Sequence, residues 1–129
     1  MGFPKYSNIK ETRNVRIAGH VPFRELPALY SGAEALVYPS FYEGYGLPIL
    51  ESFACGTPVV TSNVSSMPEV AGDAAVLVDP YDVNSIAEGI TKALNGPKGL
   101  IEKGFTRVKQ FSWEKTARMT LDVYKEAMK

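Results

Sequence analysis

Residues 35–61 read ALVYPSFYEGYGLPILESFACGTPVVT, and the pattern of this stretch decides the fold. It opens with a short apolar run at 35–38 and closes with a second, β-branched run at 58–61. Between the runs, apolar residues recur at helical spacing after Pro48, and proline is preferred in the first turn of a helix. Gly56 then ends the helix, because glycine tolerates the left-handed conformation that follows a helix C-terminus. The stretch therefore predicts a strand–helix–strand unit whose two strands are parallel.

Two further apolar runs, at 15–18 and 75–78, flank this unit. A helical pattern over 24–33 separates the first of them from 35–38, so strands and helices alternate along the chain. Continuous apolar strands that alternate with helices are typical of a parallel sheet covered on both faces. We predict the α/β class, with a Rossmann-like three-layer α/β/α arrangement around a parallel sheet of about four strands.

Only helical patterns follow the fourth run. Asp82 is the predicted N-cap of the first of these helices, and Ser112 is the predicted N-cap of the last. We interpret residues 1–14, which are mixed and mostly polar, as a lead-in segment, and residues 15–129 as one domain. Apolar residues recur on one side of the last helix, and we expect this stripe to pack in the core. Its members are Trp113, Ala117, Leu121, Tyr124 and Met128.

The composition excludes several classes of protein. The 129 residues include 14 lysines and arginines and 14 aspartates and glutamates, so the formal net charge is zero. Such a balance gives no electrostatic footprint for nucleic acid or for an anionic membrane. No apolar run approaches the ~20 residues of a membrane helix, and the single cysteine excludes an internal disulfide and a cysteine-rich zinc site. We expect a cytoplasmic protein with no transmembrane segment, no bound metal and no nucleic-acid partner.

The loop after the run at 35–38 carries the candidate functional residues. It leaves the carboxyl end of a predicted strand and enters a helix near Leu47, which is where open α/β sheets bind ligands. Gly44 and Gly46 let backbone N–H groups approach a ligand, and the helix start directs its own N–H groups at the same point. Glu51 lies about one turn into the helix and leans back toward the loop that contains Glu43.

This arrangement suits a phosphate or a sugar hydroxyl. A carboxylate is a poor ligand for phosphate but a good acceptor for a vicinal diol such as that of ribose. Taken alone, the two glutamates and two glycines leave two interpretations open. One is a nucleotide or sugar site, and the other is a helix-initiating turn with solvent-exposed acids.

Two other reactive side chains carry little weight. His20 follows the first predicted strand, where we expect a structural role. Cys55 lies at a helix C-terminus, where the helix dipole disfavours a thiolate, and we expect it to be buried. The sequence Gly44-x-Gly46-x-x-Ile49 lacks the third glycine of a dinucleotide fingerprint, which argues against a dehydrogenase.

The spacing Glu43-x7-Glu51 around Gly-Tyr-Gly-Leu-Pro resembles the signature of retaining nucleotide-sugar glycosyltransferases of the GT-B fold, in the group known as family 4 or group 1. The similarity covers roughly residues 14–128 and includes Met67-Pro68-Glu69 and Phe111-Ser112-Trp113. The motif itself is most similar to that of mannosyltransferase-type members. The resemblance implies that the chain is part of the C-terminal, donor-binding domain of such an enzyme.

The resemblance also implies roles for individual residues. Glu43 is implied to contact the transferred sugar and is the candidate catalytic residue, whereas Glu51 is implied to hold the ribose. Backbone groups of the segment between them are implied to meet the sugar hydroxyls and the diphosphate. That donor-binding segment comprises Gly44, Tyr45, Gly46 and Leu47. The implied substrate is a nucleotide-diphosphate sugar, GDP-mannose or a UDP-sugar, and no metal cofactor is implied.

The chain also departs from the family pattern. The family's donor domain opens with two more strand–helix units, which carry a basic pair opposite the diphosphate, and an N-terminal acceptor domain precedes it. Residues 1–40 contain nothing that resembles the basic pair, so we expect a chain that is inactive alone. The alternative is a non-catalytic nucleotide-binding or protein-interaction module derived from a glycosyltransferase. We also expect an open sheet edge, so that either the first two predicted strands pair directly or the edge binds a second copy or a companion chain.

Overall fold

The computed structural model describes residues 10–129. Three short strands alternate with short helices, and three longer helices follow. Most of the predicted lead-in at 1–14 lies outside the described residues. A 3₁₀ turn, Phe23–Glu25, precedes α1. The other elements are α1 (Leu26–Ser31), β1 (Leu36–Tyr38), α2 (Leu47–Ala54), β2 (Val59–Ser62), α3 (Met67–Ala71), β3 (Val76–Val78), α4 (Val83–Asn95), α5 (Pro97–Val108) and α6 (Trp113–Ala127).

The three strands form one parallel sheet in the order β1-β2-β3. Leu36 is in register with Val59, and Val60 is in register with Val76. Each strand is joined to the next through a helix, as parallel pairing requires. The α/β class and the parallel sheet predicted from the sequence are therefore confirmed.

Within residues 10–129 the sheet has three strands, and the run at 15–18 is not one of them, so the prediction of about four strands is wrong there. Thr12 and Val15 exchange backbone hydrogen bonds of 2.9 and 3.3 Å in an isolated bridge, and the run makes no ladder with β1. Val15 and Ile17 are each 43% exposed. β-Branched side chains favour extended backbone, but a strand also needs a neighbour for its N–H and C=O groups, and this run has none among the described residues. The expectation that the first two predicted strands pair directly is therefore wrong as well.

Helices cover both faces of the sheet, which makes the three layers. β2 is buried along its whole length, and its side chains alternate between two clusters. Val59 packs on one face with Ile49 and Phe53 of α2. Val60 packs on the other face with Ala93 of α4. Because β2 contacts a helix layer on each side, it is the centre of the core.

α5 packs on α2 and also forms hydrogen bonds to α3. Gly104 lies so close to Phe53 that an added Cβ would be 2.9 Å from the ring atom Cδ1. Arg107, one turn further along, donates from Nε to the carbonyl of Val70 at 3.0 Å and also bonds the carbonyl of Glu69. Its guanidinium lies 5.0 Å from the ring centre of Phe111. One arginine thus caps the C-terminal carbonyls of α3.

The apolar stripe of α6 is exposed, so the expectation that it packs in the core is wrong. Ser112 does cap the helix as predicted, since its Oγ accepts from the Lys115 N–H at 3.1 Å. Yet α6 has no buried residue, and Trp113 is 77% and Met128 79% exposed. Helical periodicity identifies an apolar face but does not supply the surface that covers it. Within residues 10–129, no helix is long and apolar enough to cross a membrane.

The close packing of α4 on the sheet predicts the effect of one substitution. A Cβ at Gly89 would lie 2.3 Å from Cγ1 of Val78, a stiff side chain on a buried strand. We expect Gly89→Ala to lower the free energy of unfolding by about 1–3 kcal/mol, measured by urea denaturation. The matched control is Gly99→Ala in α5, where nothing lies within 4 Å of an added Cβ. This change should leave stability unchanged or raise it by up to about 1 kcal/mol. Equal changes in the two variants would contradict this account of the packing.

Candidate functional site

The candidate site lies at the carboxyl edge of the sheet, where the β1–α2 loop meets the β2–α3 loop. Gly46 is the N-cap of α2 and has φ +102°, a conformation that side-chain-bearing residues rarely adopt. A Cβ at this position would also lie 3.2 Å from Cδ1 of Ile49. The helix begins at Leu47, as the sequence predicts, and the Ile49 N–H bonds the Gly46 carbonyl at 3.0 Å.

Serines of the β2–α3 loop hold the β1–α2 loop in place. Ser62 Oγ donates to the Ser40 carbonyl at 2.5 Å, and Ser65 Oγ donates to the Glu43 carbonyl at 2.8 Å. Ser66 Oγ lies within hydrogen-bond distance of two carbonyls, that of Glu43 at 3.0 Å and that of Tyr45 at 2.9 Å. The sequence pattern does not identify these serines as part of the site. Their signal was only their place directly after a predicted strand, because the contacts join residues 21 to 23 positions apart.

The predicted donor-binding segment presents free backbone N–H groups. Within residues 10–129, the N–H groups of Gly44, Tyr45, Gly46 and Leu47 make no hydrogen bond. Gly44 is exposed, Tyr45 and Leu47 are each 45% exposed, and Gly46 is buried. Consecutive free N–H groups at a helix start form a site for an anion or for a neutral oxygen acceptor. The structure thus brings these four residues together at one helix end.

Glu43 lies beside this segment with one carboxylate oxygen already bonded. Its Oε1 accepts from the Tyr38 hydroxyl at 2.5 Å and from Ser40 Oγ at 2.9 Å. No donor within residues 10–129 bonds Oε2. Burial, with the hydrogen bond to Glu43, raises the pKa of the Tyr38 phenol above its ordinary value. The phenol is therefore a hydrogen-bond donor, and Oε2 remains available to a ligand.

Glu51 lies in the second turn of α2 and is held in the same way. Its Oε2 accepts from the Tyr30 hydroxyl of α1 at 2.9 Å. Burial, followed by the hydrogen bond and the charge of Glu51, raises the pKa of Tyr30 well above its usual range. Oε1 of Glu51 has no bonded donor within the described residues. Each of the two motif glutamates thus has one oxygen held by a tyrosine and the other free.

The electrostatic balance near the site differs from that of the whole chain. No lysine or arginine lies between residues 25 and 91, the range that contains the sheet, both loops and α2 to α3. Acidic residues, including Glu43 and Glu51, recur throughout the same range. This edge of the sheet therefore carries hydrogen-bond acceptors and backbone N–H groups, but no cationic side chain of its own.

A groove of about 460 Å³ adjoins the start of α2 and continues to the start of α6. Its walls are mostly apolar, and Glu51 lies at its margin. Tyr45 meets Phe111 edge to face there, with 6.4 Å between ring centres. The groove is lined by Tyr45, Leu47, Leu50, Glu51, Ala54, Val108, Phe111, Ser112, Trp113 and Thr116.

Two further reactive side chains are His20 and Cys55. His20 is exposed. Cys55 is only partly buried, at the C-cap of α2, so the expectation of full burial is wrong there. In the part of the chain that the structure describes, no group of three His, Cys, Asp or Glu side chains is placed to hold a metal ion.

Known proteins match this chain in sequence. Residues 7–115 match the family model described as glycosyl transferases group 1. The chain is 48% identical to O-antigen chain mannosyltransferase B of Escherichia coli in an alignment of 114 residues, which covers 86% of this chain and 30% of that protein. It is 39% identical to the MMP alpha-(1->4)-mannosyltransferase of Mycolicibacterium hassiacum in an alignment of 111 residues, which covers 81% of this chain and 27% of that protein.

A solved structure matches the fold. Sucrose-phosphate synthase from Thermosynechococcus elongatus aligns with a TM-score of 0.74 at 34% identity, over 85% of this chain and 29% of that chain. The chain thus spans less than a third of the length of these relatives. Because the family model matches most of this chain, the chain belongs to the group 1 glycosyltransferase family. It has the Rossmann-like α/β/α fold of GT-B glycosyltransferases.

Proposed function

We propose that this chain is the donor-binding portion of a retaining glycosyltransferase that transfers a hexose from a nucleotide-diphosphate sugar to an acceptor. One observation carries the proposal. Two glutamates, each with one free carboxylate oxygen, lie in the loop and helix that also present the four free N–H groups at residues 44–47. Hydroxyl groups of a sugar nucleotide match the free oxygens, and its negatively charged diphosphate matches the N–H groups.

The two glutamates have separate roles in this proposal. Glu51 accepts from the ribose hydroxyls through Oε1. Glu43 accepts from hydroxyls of the transferred sugar through Oε2 and orients the sugar for transfer, which makes it the catalytic residue of the chain. Tyr38 and Ser40 hold Glu43 through Oε1, so the sugar meets a carboxylate that is already oriented.

The relatives suggest which donor to test first. Two of the similar proteins are mannosyltransferases by name, which favours GDP-mannose over a UDP-sugar. The proposal assigns no metal ion to the site. Backbone N–H groups and the dipole of α2 are the only positive groups that it places opposite the diphosphate.

We also propose that the chain is catalytically inactive alone. Departure of a nucleoside diphosphate develops negative charge, which a transferase must stabilise. The range between residues 25 and 91 contains no lysine or arginine that faces the free N–H groups. We propose that the stabilising cations come from outside this sheet edge, in other parts of a longer or multi-chain enzyme, and that this chain contributes the recognition of the donor.

Calorimetric titration with GDP, GDP-mannose, UDP and UDP-glucose, with and without EDTA, tests the proposal. We expect saturable binding of at least one nucleotide and its sugar conjugate, either GDP with GDP-mannose or UDP with UDP-glucose. The affinity should be the same with and without EDTA. Glu51→Ala should weaken it at least tenfold, because it removes a charged acceptor worth about 1.5–3 kcal/mol. The matched control is Glu88→Ala, an exposed glutamate on α4 that should bind like the unsubstituted protein.

Two results would contradict parts of this proposal. A chain that binds none of the four nucleotides would favour the alternative of a protein-interaction module. Hexose transfer by the purified chain alone, measured with radiolabelled GDP-mannose and a mannoside acceptor, would overturn the proposed inactivity.

The outer edge of β1, which is the side that faces away from β2, is a candidate surface for pairing with another chain. In a parallel sheet, the backbone groups of successive residues point alternately to the strands on either side. The backbone of Leu36 points toward β2, since its N–H bonds the Pro58 carbonyl at 2.8 Å. The backbone groups of Val37 therefore point away from β2, and its side chain is 39% exposed. Pairing of this edge with a second copy or a companion chain stays a prediction.

Multi-angle light scattering should show a dimer at high protein concentration, and Val37→Pro, which removes the edge N–H, should reduce the dimer fraction. A monomer at every concentration would exclude the second copy.

A further inference from the structure

The contact between Tyr30 and Glu51 joins two helices that the sequence separates by 21 residues. Tyr30 lies near the end of α1, and its own position is fixed from a third element. Thr57 Oγ1, in the loop before β2, donates to the Tyr30 carbonyl at 2.7 Å. The Ala33 N–H also bonds this carbonyl, at 2.9 Å. The tyrosine is thus anchored through its backbone while its hydroxyl reaches Glu51.

This contact limits the motion of the Glu51 carboxylate. A free glutamate side chain samples several rotamers, and binding a ligand must then select one of them at a cost in entropy. A bond from the phenol to Oε2 selects one orientation before any ligand binds. The second oxygen, Oε1, then has a fixed direction as well, because the carboxylate is planar.

We propose that Tyr30 is a positioning residue that holds the Glu51 carboxylate so that its second oxygen accepts a hydrogen bond from a ribose hydroxyl. This inference rests on the function proposed above and adds a residue to it. Tyr30 itself contacts no ligand in this assignment. Its effect is preorganisation, which strengthens binding by removing an ordering cost.

The chemistry of the pair supports this role. A phenol is a donor in its neutral form, and the raised pKa of Tyr30 keeps it neutral throughout the physiological range. Tyr30 is only partly exposed, so water competes little for the bond. Replacement by phenylalanine removes one oxygen and keeps the ring, which isolates the hydrogen bond from the packing.

The test compares a ribonucleoside diphosphate with its 2′,3′-dideoxy analogue. The probe pair is GDP and dideoxy-GDP, or UDP and dideoxy-UDP, whichever ribonucleotide binds the unsubstituted protein. We expect the unsubstituted protein to prefer the ribonucleotide, and Glu51→Ala to abolish the preference. Tyr30→Phe should reduce the preference about tenfold while leaving the affinity for the dideoxy analogue unchanged. Tyr124→Phe, on the exposed surface of α6, is the matched control and should keep the full preference.

The outcomes separate this inference from the proposed function. If Tyr30→Phe weakens both ligands equally, the tyrosine has only a structural role and the inference is wrong, even though the proposed function stands. An unchanged preference in Tyr30→Phe, with a lost preference in Glu51→Ala, also overturns the inference alone. A lack of ribose preference in the unsubstituted protein would overturn both the inference and the assigned role of Glu51. Thermal unfolding of each variant confirms that the folded state is compared.

Discussion

The parallel pairing of β1 with β2 is the interaction on which the rest of the structure depends. It places the carboxyl ends of both strands at one edge, so that the loops that follow them lie side by side. Ser62, Ser65 and Ser66 can reach the loop at 40–45 only because of this register. A slip of one residue would turn Val59 and Val60 to the wrong faces and separate the two loops. The burial of β2 on both faces therefore specifies the site as well as the core.

Features that depend on neighbouring residues in the sequence can be predicted from it. Features that require contact with a distant part of the chain cannot. The start of α2 at Leu47 and the caps Asp82 and Ser112 follow from proline, glycine and side-chain oxygens within a few positions, and all are found. The run at 15–18 has the composition of a strand but no neighbour in the described chain. The stripe on α6 has the period of a buried helix but no covering surface. In both places periodicity describes a surface that suits burial, and burial itself requires a second surface.

The candidate site shows the same division. The positions of Glu43 and Glu51, and their place around a helix start, could be predicted because they lie in one continuous segment. Their bonding could not be predicted, because one phenol comes from α1 and the other from β1. The sequence marks both tyrosines only as aromatic residues near apolar runs. Two unrelated elements nevertheless provide the same chemistry, a neutral hydroxyl that occupies one oxygen of each carboxylate and leaves the other free.

This arrangement explains how an acidic sheet edge can serve a negatively charged ligand. The range between residues 25 and 91 lacks lysine and arginine, so it has a net negative charge although the formal net charge of the whole chain is zero. We propose that the carboxylates oriented by phenols contact the hydroxyl groups of a sugar nucleotide, which are its neutral parts. In the proposed site, only backbone N–H groups at the start of α2 face the phosphates, and their partial charges are smaller than that of a guanidinium. We therefore expect that donor recognition by this chain depends mainly on the hydroxyl groups of the ribose and of the sugar. In the proposed reaction, the negative charge that develops on the departing nucleoside diphosphate is stabilised by cations outside this sheet edge.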